Sequence, residues 1–277
     1  MARLRWPSIS RRVSSLIARS RGATTLPWNL ISNELALWRR DGLRPKVWWR
    51  DDDVTRPSRN LDRLLELRRL RDASLALAAI PANTTSELAS RLRGEPDVHI
   101  LVHGLDHSNR VNGFPKSEFP AECADGASRA GTGLKMLQSL FDEESVLPIF
   151  VPPWYACGLD TEMGLRKEGF LAISKWGLAA TQPPLEGVKR INVHIDLMVW
   201  PPRPTLASPE NLIHQIAEQF RLRRETAGLA QEPFGINTHH DCHDEPTWRF
   251  LDQLLGHLAE FEILEIVDVR NELRSVS

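Results

Sequence analysis

From Lys46 onward, short runs of apolar residues alternate with longer stretches in which apolar residues recur every three or four positions. The short runs, bounded by turn-forming residues, predict buried strands, and the longer stretches predict helices with one core-facing stripe. Strands are expected over 46–50, 74–80, 97–102, 148–151, 170–174, 189–195, 233–238 and 262–267. Helices are expected over 58–72, 84–93, 117–141, 160–168, 208–226 and 246–260. Parallel strands need crossover connections, which helices supply, so this alternation predicts a parallel sheet, either closed into a barrel or doubly wound. Ahead of it, Leu30, Ile31, Leu35, Leu37 and Trp38 stand at helical spacing before Asp41-Gly42. They predict a helix over 28–40 that plugs one end of the fold.

The polar residues favour the barrel. Asp51 to Asp53, His103 and His107, Pro152 to Tyr155, His194 and Asp196, and His239 to Asp241 all fall at or just past the C-terminal ends of different predicted strands. A barrel gathers those ends at one mouth, where barrel enzymes build their sites. The expected fold class is α/β, a distorted (β/α) barrel of seven to eight strands. A chain of 277 residues with 42% hydrophobic content fills one core of this kind, so residues 26–277 read as a single domain.

The first 25 residues break the pattern. They carry Arg3, Arg5, Arg11, Arg12, Arg19 and Arg21 with several serines, and no acid precedes Glu34. This reads as a disordered basic leader, with peripheral contact to anionic lipid as the alternative. Its apolar stretch from Val13 to Ala18 is broken by Ser14 and Ser15, too short for a secretory signal, and nothing approaches the ~20 apolar residues of a membrane span. A net charge of -1 offers no basic excess for nucleic acid. Cys123, Cys157 and Cys242 are odd in number and far apart, which argues against a disulfide framework and for a reducing, cytoplasmic setting.

Two segments carry the chemistry. Trp48-Trp49-Arg50-Asp51-Asp52-Asp53 places three successive carboxylates at the end of an apolar run, and such a cluster is most easily held where a cation neutralises it. Val98 to Val102 leads into His103-Gly104-Leu105-Asp106-His107. Four residues apart, the two histidines would share one face of a helical turn. A carboxylate with two imidazoles is the ligand set of a catalytic divalent-metal site that leaves positions open for water and substrate. Metal-assisted hydrolysis is the expected reaction type. Of the aromatics, Trp48, Trp49 and Trp176 read as core by default, and Trp154 and Trp200 as the pair facing substrate.

This constellation resembles the polysaccharide deacetylase family, the metal-dependent carbohydrate esterases that include chitin, chitooligosaccharide and peptidoglycan deacetylases. Asp52-Asp53 matches the end of that family's first motif. His103-Gly104-Leu105-Asp106-His107 matches its second, Val151-Pro152-Pro153-Trp154 its third, and Asn237-Thr238-His239 its last, in order over residues 46–268. The resemblance implies that Asp53, His103 and His107 hold a divalent ion, zinc foremost. It makes Asp52 the general base and His239 the general acid, with His240 as its substitute and His243 a further candidate. Asp196 then orients the acid, the Trp154 backbone N–H stabilises the oxyanion, and Pro153, Trp154, Tyr155 and Trp200 face the substrate. The implied substrate is an N-acetylated glycan, and acetate the co-product. Two alternatives are hydrolysis of another carbon–nitrogen amide bond and a catalytically silent carbohydrate-binding relative. The chain departs from the motifs at Gly104, where the family has Ser or Thr, and at Val151, where it has an arginine that braces the catalytic aspartate. No nearby basic residue is an evident replacement for that arginine.

Overall fold

The computed structural model describes residues 26–200 and 202–274, so the basic leader expected over 1–25 lies outside the described residues. The strands are β1 (Lys46–Val54), β2 (Leu75–Ala79), β3 (Val98–His103), β4 (Val146–Val151), β5 (Ala172–Ile173), β6 (Lys189–Arg190), β7 (Ile195–Asp196), β8 (Met198–Val199), β9 (Thr205–Leu206), β10 (Phe234–Thr238) and β11 (Glu265–Ile266). The helices are α1 (Asn29–Arg40), α2 (Arg59–Leu70), α3 (Ser86–Leu92), α4 (Gly126–Leu140), α5 (Leu159–Gly164), α6 (Pro209–Glu225), α7 (Glu245–Ala259) and α8 (Val269–Arg274). The main sheet is parallel throughout and runs β6-β5-β4-β3-β2-β1-β10-β7, with β11 paired to the start of β1. β8 and β9 form a separate antiparallel ribbon.

The strand order forces the sheet to curl. β6 and β7 stand at opposite ends of the order, yet only residues 191–194 join them, a span of at most about 18 Å. Ile191 and Val193 donate their N–H groups to Ile173 and Lys175 on one side, and His194 donates to Gly235 on the other. The segment therefore crosses from one edge of the sheet to the other and closes a distorted barrel, as expected. The continuous strand predicted over 189–195 is split by that crossing. Gly235 permits it, because a Cβ there would lie 2.4 Å from the Asn192 carbonyl oxygen and 2.6 Å from Trp48 Nε1.

Alternation along the strands sorts two cores. Val47, Trp49, Leu75, Leu77 and Ile100 face outward and pack beneath the helices, whereas Trp48, Ala76, Ala78, Leu101, Ile149 and Val151 fill the barrel interior. Each fully buried Leu, Ile or Phe among them contributes roughly 1.5–3 kcal/mol. The side chains of Ser58, Ser208 and Asp244 cap α2, α6 and α7 and satisfy N–H groups that those helix ends leave free.

Two sequence expectations are corrected. α1 does not plug the barrel: Trp38 donates its indole N–H to the Phe220 carbonyl of α6, Trp28 stacks on Phe250 of α7, and the helix belongs to the outer layer. The plug is α8, whose Val269 joins the interior cluster and whose Glu272 binds Lys46 at 3.0 Å and Lys189 at 3.3 Å. The helix predicted over 117–141 begins only at Gly126, and residues 104–125 form an irregular loop over the mouth. Its polar residues bond locally to backbone, which competes with helix formation.

Candidate active site

The three aspartates lie within β1 rather than beyond it, and the pleat sends them to different places. Asp51 and Asp52 are still paired to neighbouring strands, opposite Thr238 and Ala78. A register shift follows between Asp52 and Val54, and Asp53 takes a left-handed backbone with φ 74°. Asp53 is thereby turned into the mouth.

There it meets both histidines. His103 ends β3, and its Nδ1–H donates to the Val151 carbonyl at 3.0 Å, which leaves Nε2 bearing a lone pair. That nitrogen lies 3.1 Å from Asp53 Oδ1, and His107 Nε2 lies 3.5 Å from the same oxygen. Asp53 Oδ1 is buried and has no hydrogen-bond partner. Donor atoms held about 2.0–2.2 Å from one tetrahedral ion stand about 3.3–3.6 Å apart, close to the spacing seen here. The three ligand atoms all lie within 4.8 Å of one another. An orphaned buried carboxylate oxygen facing two imidazole nitrogens thus fits a divalent cation.

Asp53 and His107 are shifted toward their ligating forms, whereas the His103 imidazole, lowered by burial, is raised on balance by Asp53 and Asp52. Burial raises the Asp53 carboxyl, but the imidazoles of His103, His239 and His107 outweigh it and hold it well below the usual carboxylate range. Burial, with the charge on His103, holds His107 down at about 4.

The two histidines do not share a helical turn as the spacing had suggested. His107 sits in the loop after β3 with φ 56°, and a buried carboxylate from farther along the chain fixes it. Glu118 accepts the backbone N–H groups of Leu105, Asp106 and His107 at 3.0–3.1 Å, while Arg129 Nη2 donates to it at 3.2 Å. Gly104 is explained by the same contact. Its φ is 64°, and a Cβ would lie 2.2 Å from Glu118 Oε2.

Asp52 faces the barrel interior and is saturated with donors. Arg50, two residues earlier on the same face, donates Nε to Oδ1 at 2.8 Å and Nη2 to Oδ2 at 3.0 Å. Asn237 Nδ2 adds a third bond to Oδ2 at 3.0 Å. The absence of a replacement for the arginine missing at Val151 is therefore corrected: the guanidinium comes from β1. Val151 itself is packed in the interior.

On the far side of Asp52 stands His239, its Nε2 3.9 Å from Asp52 Oδ2 and its Nδ1 3.6 Å from Asp196 Oδ1. Burial lowers the His239 imidazole, but Asp196, Asp52 and Asp53 together raise it to about 9. Asp196 is held by the Met198 N–H at 2.9 Å, the Tyr155 hydroxyl at 3.2 Å and the Trp200 indole N–H at 3.2 Å. His240 turns the other way. It is fully buried against Asp51, with Nδ1 in contact with Oδ1 and the backbone N–H donating to Oδ2 at 3.0 Å. His243 accepts the His239 backbone N–H at 3.4 Å and packs edge-on to Trp248. Of the three histidines, only His239 lines the mouth cavity.

That cavity measures about 550 Å³ and has Asp52, Asp53, His103, His107 and His239 in its walls. Trp154, 4.5 Å from the His107 ring, and Trp200, edge-on to His239 at 4.5 Å, both line it. Pro152, Tyr155, Phe114 and Lys116 complete it, whereas Pro153 lies behind it, buried against Gly104. The Tyr155 hydroxyl is engaged with Asn237 and Asp196, so the ring rather than the phenol faces the opening. Trp176 packs at a tilt on Tyr155, with ring centroids 5.4 Å apart, and is 43% exposed, not in the core as expected. Asp53, His107, Trp154 and Tyr155 all have positive φ, and left-handed backbone in non-glycine residues is a strain that clusters at functional sites.

No protein-family model and no curated protein sequence matches the chain. Among solved structures, a protein from Mycobacterium smegmatis described as a polysaccharide deacetylase superposes with a TM-score of 0.61 at 14% identity, covering 85% of this chain and 91% of that one. The fold is that of the polysaccharide deacetylases. A second chain with this fold, a family 4 carbohydrate esterase pseudoenzyme from Bacillus anthracis, gives a TM-score of 0.50 at 13% identity, covering 79% of this chain and 61% of that one. The polysaccharide deacetylase fold is thus shared at a level of identity where side chains, not ancestry, must argue activity.

Proposed function

We propose that the protein is a metal-dependent hydrolase that removes an acetyl or related acyl group from nitrogen on a carbohydrate. The reading is carried by one observation: Asp53, His103 and His107 bring one ligand atom each within 4.8 Å of one another, the Asp53 oxygen buried without a hydrogen-bond partner, and Asp52 and His239 stand in the walls of the same cavity. A divalent ion bound there, zinc foremost, supplies the positive charge that makes water acidic and polarises an acyl oxygen. Asp52, fixed by three donors, accepts the proton of the attacking water. His239 arrives protonated, because its neighbouring carboxylates raise it to about 9, and it delivers that proton to the departing nitrogen. An amine does not leave without one. Asp196 holds the imidazolium in place, and the Trp154 N–H stabilises the oxyanion. Trp154 and Trp200 offer flat apolar faces to the cavity, the surface on which sugar rings stack. Free cysteines at 123, 157 and 242 agree with a cytoplasmic setting, and no helix among the described residues is long and apolar enough to cross a membrane.

The test is acetate release from N-acetylglucosamine oligomers by protein loaded with zinc, cobalt or nickel, against chelated protein and Asp52→Asn. Release that requires both the ion and Asp52 supports the reading. A metal-loaded protein that binds these oligomers and releases nothing overturns it.

A further inference from the structure

We propose that Arg50 is the positioning residue for Asp52, fixing the plane of the carboxylate that takes the proton; this rests on the reading of Asp52 as the base. Arg50 is fully buried, and its guanidinium is committed on two sides. Nε and Nη2 fork the two oxygens of Asp52, while Nη1 donates to Ser174 Oγ at 2.6 Å and to the Ser174 carbonyl at 3.2 Å. Ser174 follows β5, across the barrel interior from β1. The fork is thus anchored across the barrel, at the C-terminal end of β5.

The arrangement does two separable things. It compensates the negative charge of Asp52, which is 3% exposed and, among the described residues, has only Arg50 and, at 3.9 Å, His239 within ion-pair distance. It also fixes orientation, because a planar bidentate fork sets the carboxylate torsion in a way a point charge does not. Arg50 and Asp52 are two apart on one strand, so the pleat alone brings them to the same face. The guanidinium also lies over the ring of Tyr155 in the turn after β4, 5.8 Å from its centroid, and Nε reaches Asn237 Oδ1 at 3.4 Å. Arg50 does not reach the cavity wall, and its effect on chemistry passes entirely through Asp52.

The experiment separates charge from geometry with Arg50→Lys and Arg50→Met, each with and without Asp52→Asn. Melting temperature and metal content are read on every variant, and kcat and KM on those with activity. Arg50→Met is expected to lower Tm by about 10 °C, because it strands a buried carboxylate, and Asp52→Asn in that background is expected to restore most of the loss. Arg50→Lys, which restores the charge without the fork, is expected to keep Tm and metal content near wild type and KM within about threefold, while kcat falls at least tenfold. Arg50→Lys with kcat within twofold of wild type overturns the proposal, as do additive Tm shifts in the Arg50→Met and Asp52→Asn pair. A wild-type protein inactive on every acetylated sugar defeats the functional reading alone, and the Tm cycle then still decides whether the two residues are coupled.

Discussion

Asp51, Asp52 and Asp53 are chemically identical neighbours that the fold treats in three different ways. Asp51 turns outward into a closed pair with His240 and Thr238, fully buried and away from the cavity. Asp52 turns inward and receives donors on both oxygens. Asp53, at the bulge, is left with a buried oxygen that has no hydrogen-bond partner among the described residues. A buried carboxylate oxygen without a partner is costly, whereas one with donors on it is compensated. In the proposed reading the three successive residues serve structure, proton transfer and ligation, and substitutions along the run test whether those roles are separate.

The largest effect is expected at Asp53. Asp53→Asn removes the charge around which both imidazoles converge, and turnover should fall to the level of ion-free protein. Metal content after dialysis checks it, and a variant that retains full metal breaks the assignment of Asp53 as ligand. Asp52→Asn should keep the metal and lose about 10²–10⁴-fold in kcat, the usual weight of a positioned proton acceptor. Equal losses of metal in both variants would merge two roles that the geometry keeps apart.

Asp51→Asn is expected to act on the fold and not on the chemistry. Breaking a fully buried ion pair costs about 3–5 kcal/mol, roughly 10 °C in Tm for a chain of this size, while kcat of the folded fraction stays within a few fold. The pair also sets a pH window. Asp51 is lowered by His240 despite burial, so its contribution is present above the unfolded carboxyl value near 3.8 and is lost as pH falls through the lower folded value. His240 is raised by Asp51 against burial, so its contribution is complete below about 6.5 and is lost as pH rises through the higher folded value. Thermal melts of wild type and Asp51→Asn should differ most between those limits. A constant difference across pH would show that the pair is not ionised.

The same strand shows what was legible in the chain and what was not. Asp52, Asp53, His103, His107 and His239 stand at the ends of apolar runs, and parallel strands in a barrel must bring such ends together, so periodicity placed their segments at the mouth and the family resemblance singled them out. Arg50 escapes the motif comparison because the third motif points for a bracing arginine to position 151, which is valine here. The signal was present as a two-residue period: Arg50 and Asp52 share a face, whereas Asp51 does not. His239 and His240 are likewise separated by the end of β10, where neighbours point to opposite sides, and that alternation distinguishes the cavity residue from the buried one. Glu118 had no such signal. Its role depends on three backbone N–H groups of a loop whose path is set by positive φ values at Gly104 and His107, a tertiary arrangement that no period encodes.

The smallest effect is expected one step from the aspartate run, at the residue that orients the acid. Burial lowers His239, and Asp196 leads the carboxylates that bring it back up to about 9. Its stabilising contribution is therefore complete below about 6.5 and disappears as pH rises through about 9, and its competence as an acid disappears over the same upper limit. A cation in the mouth disfavours the imidazolium, so the alkaline limb of kcat in the loaded protein should lie at or below that value. Asp196→Asn keeps the size of the side chain and removes the charge, which should move the limb down by about one unit or more. A limb that stays in place would mean that another group protonates the leaving nitrogen. His240 and His243 lie outside the cavity wall, so that outcome would turn attention from the histidines to solvent entering between Trp154 and Trp200.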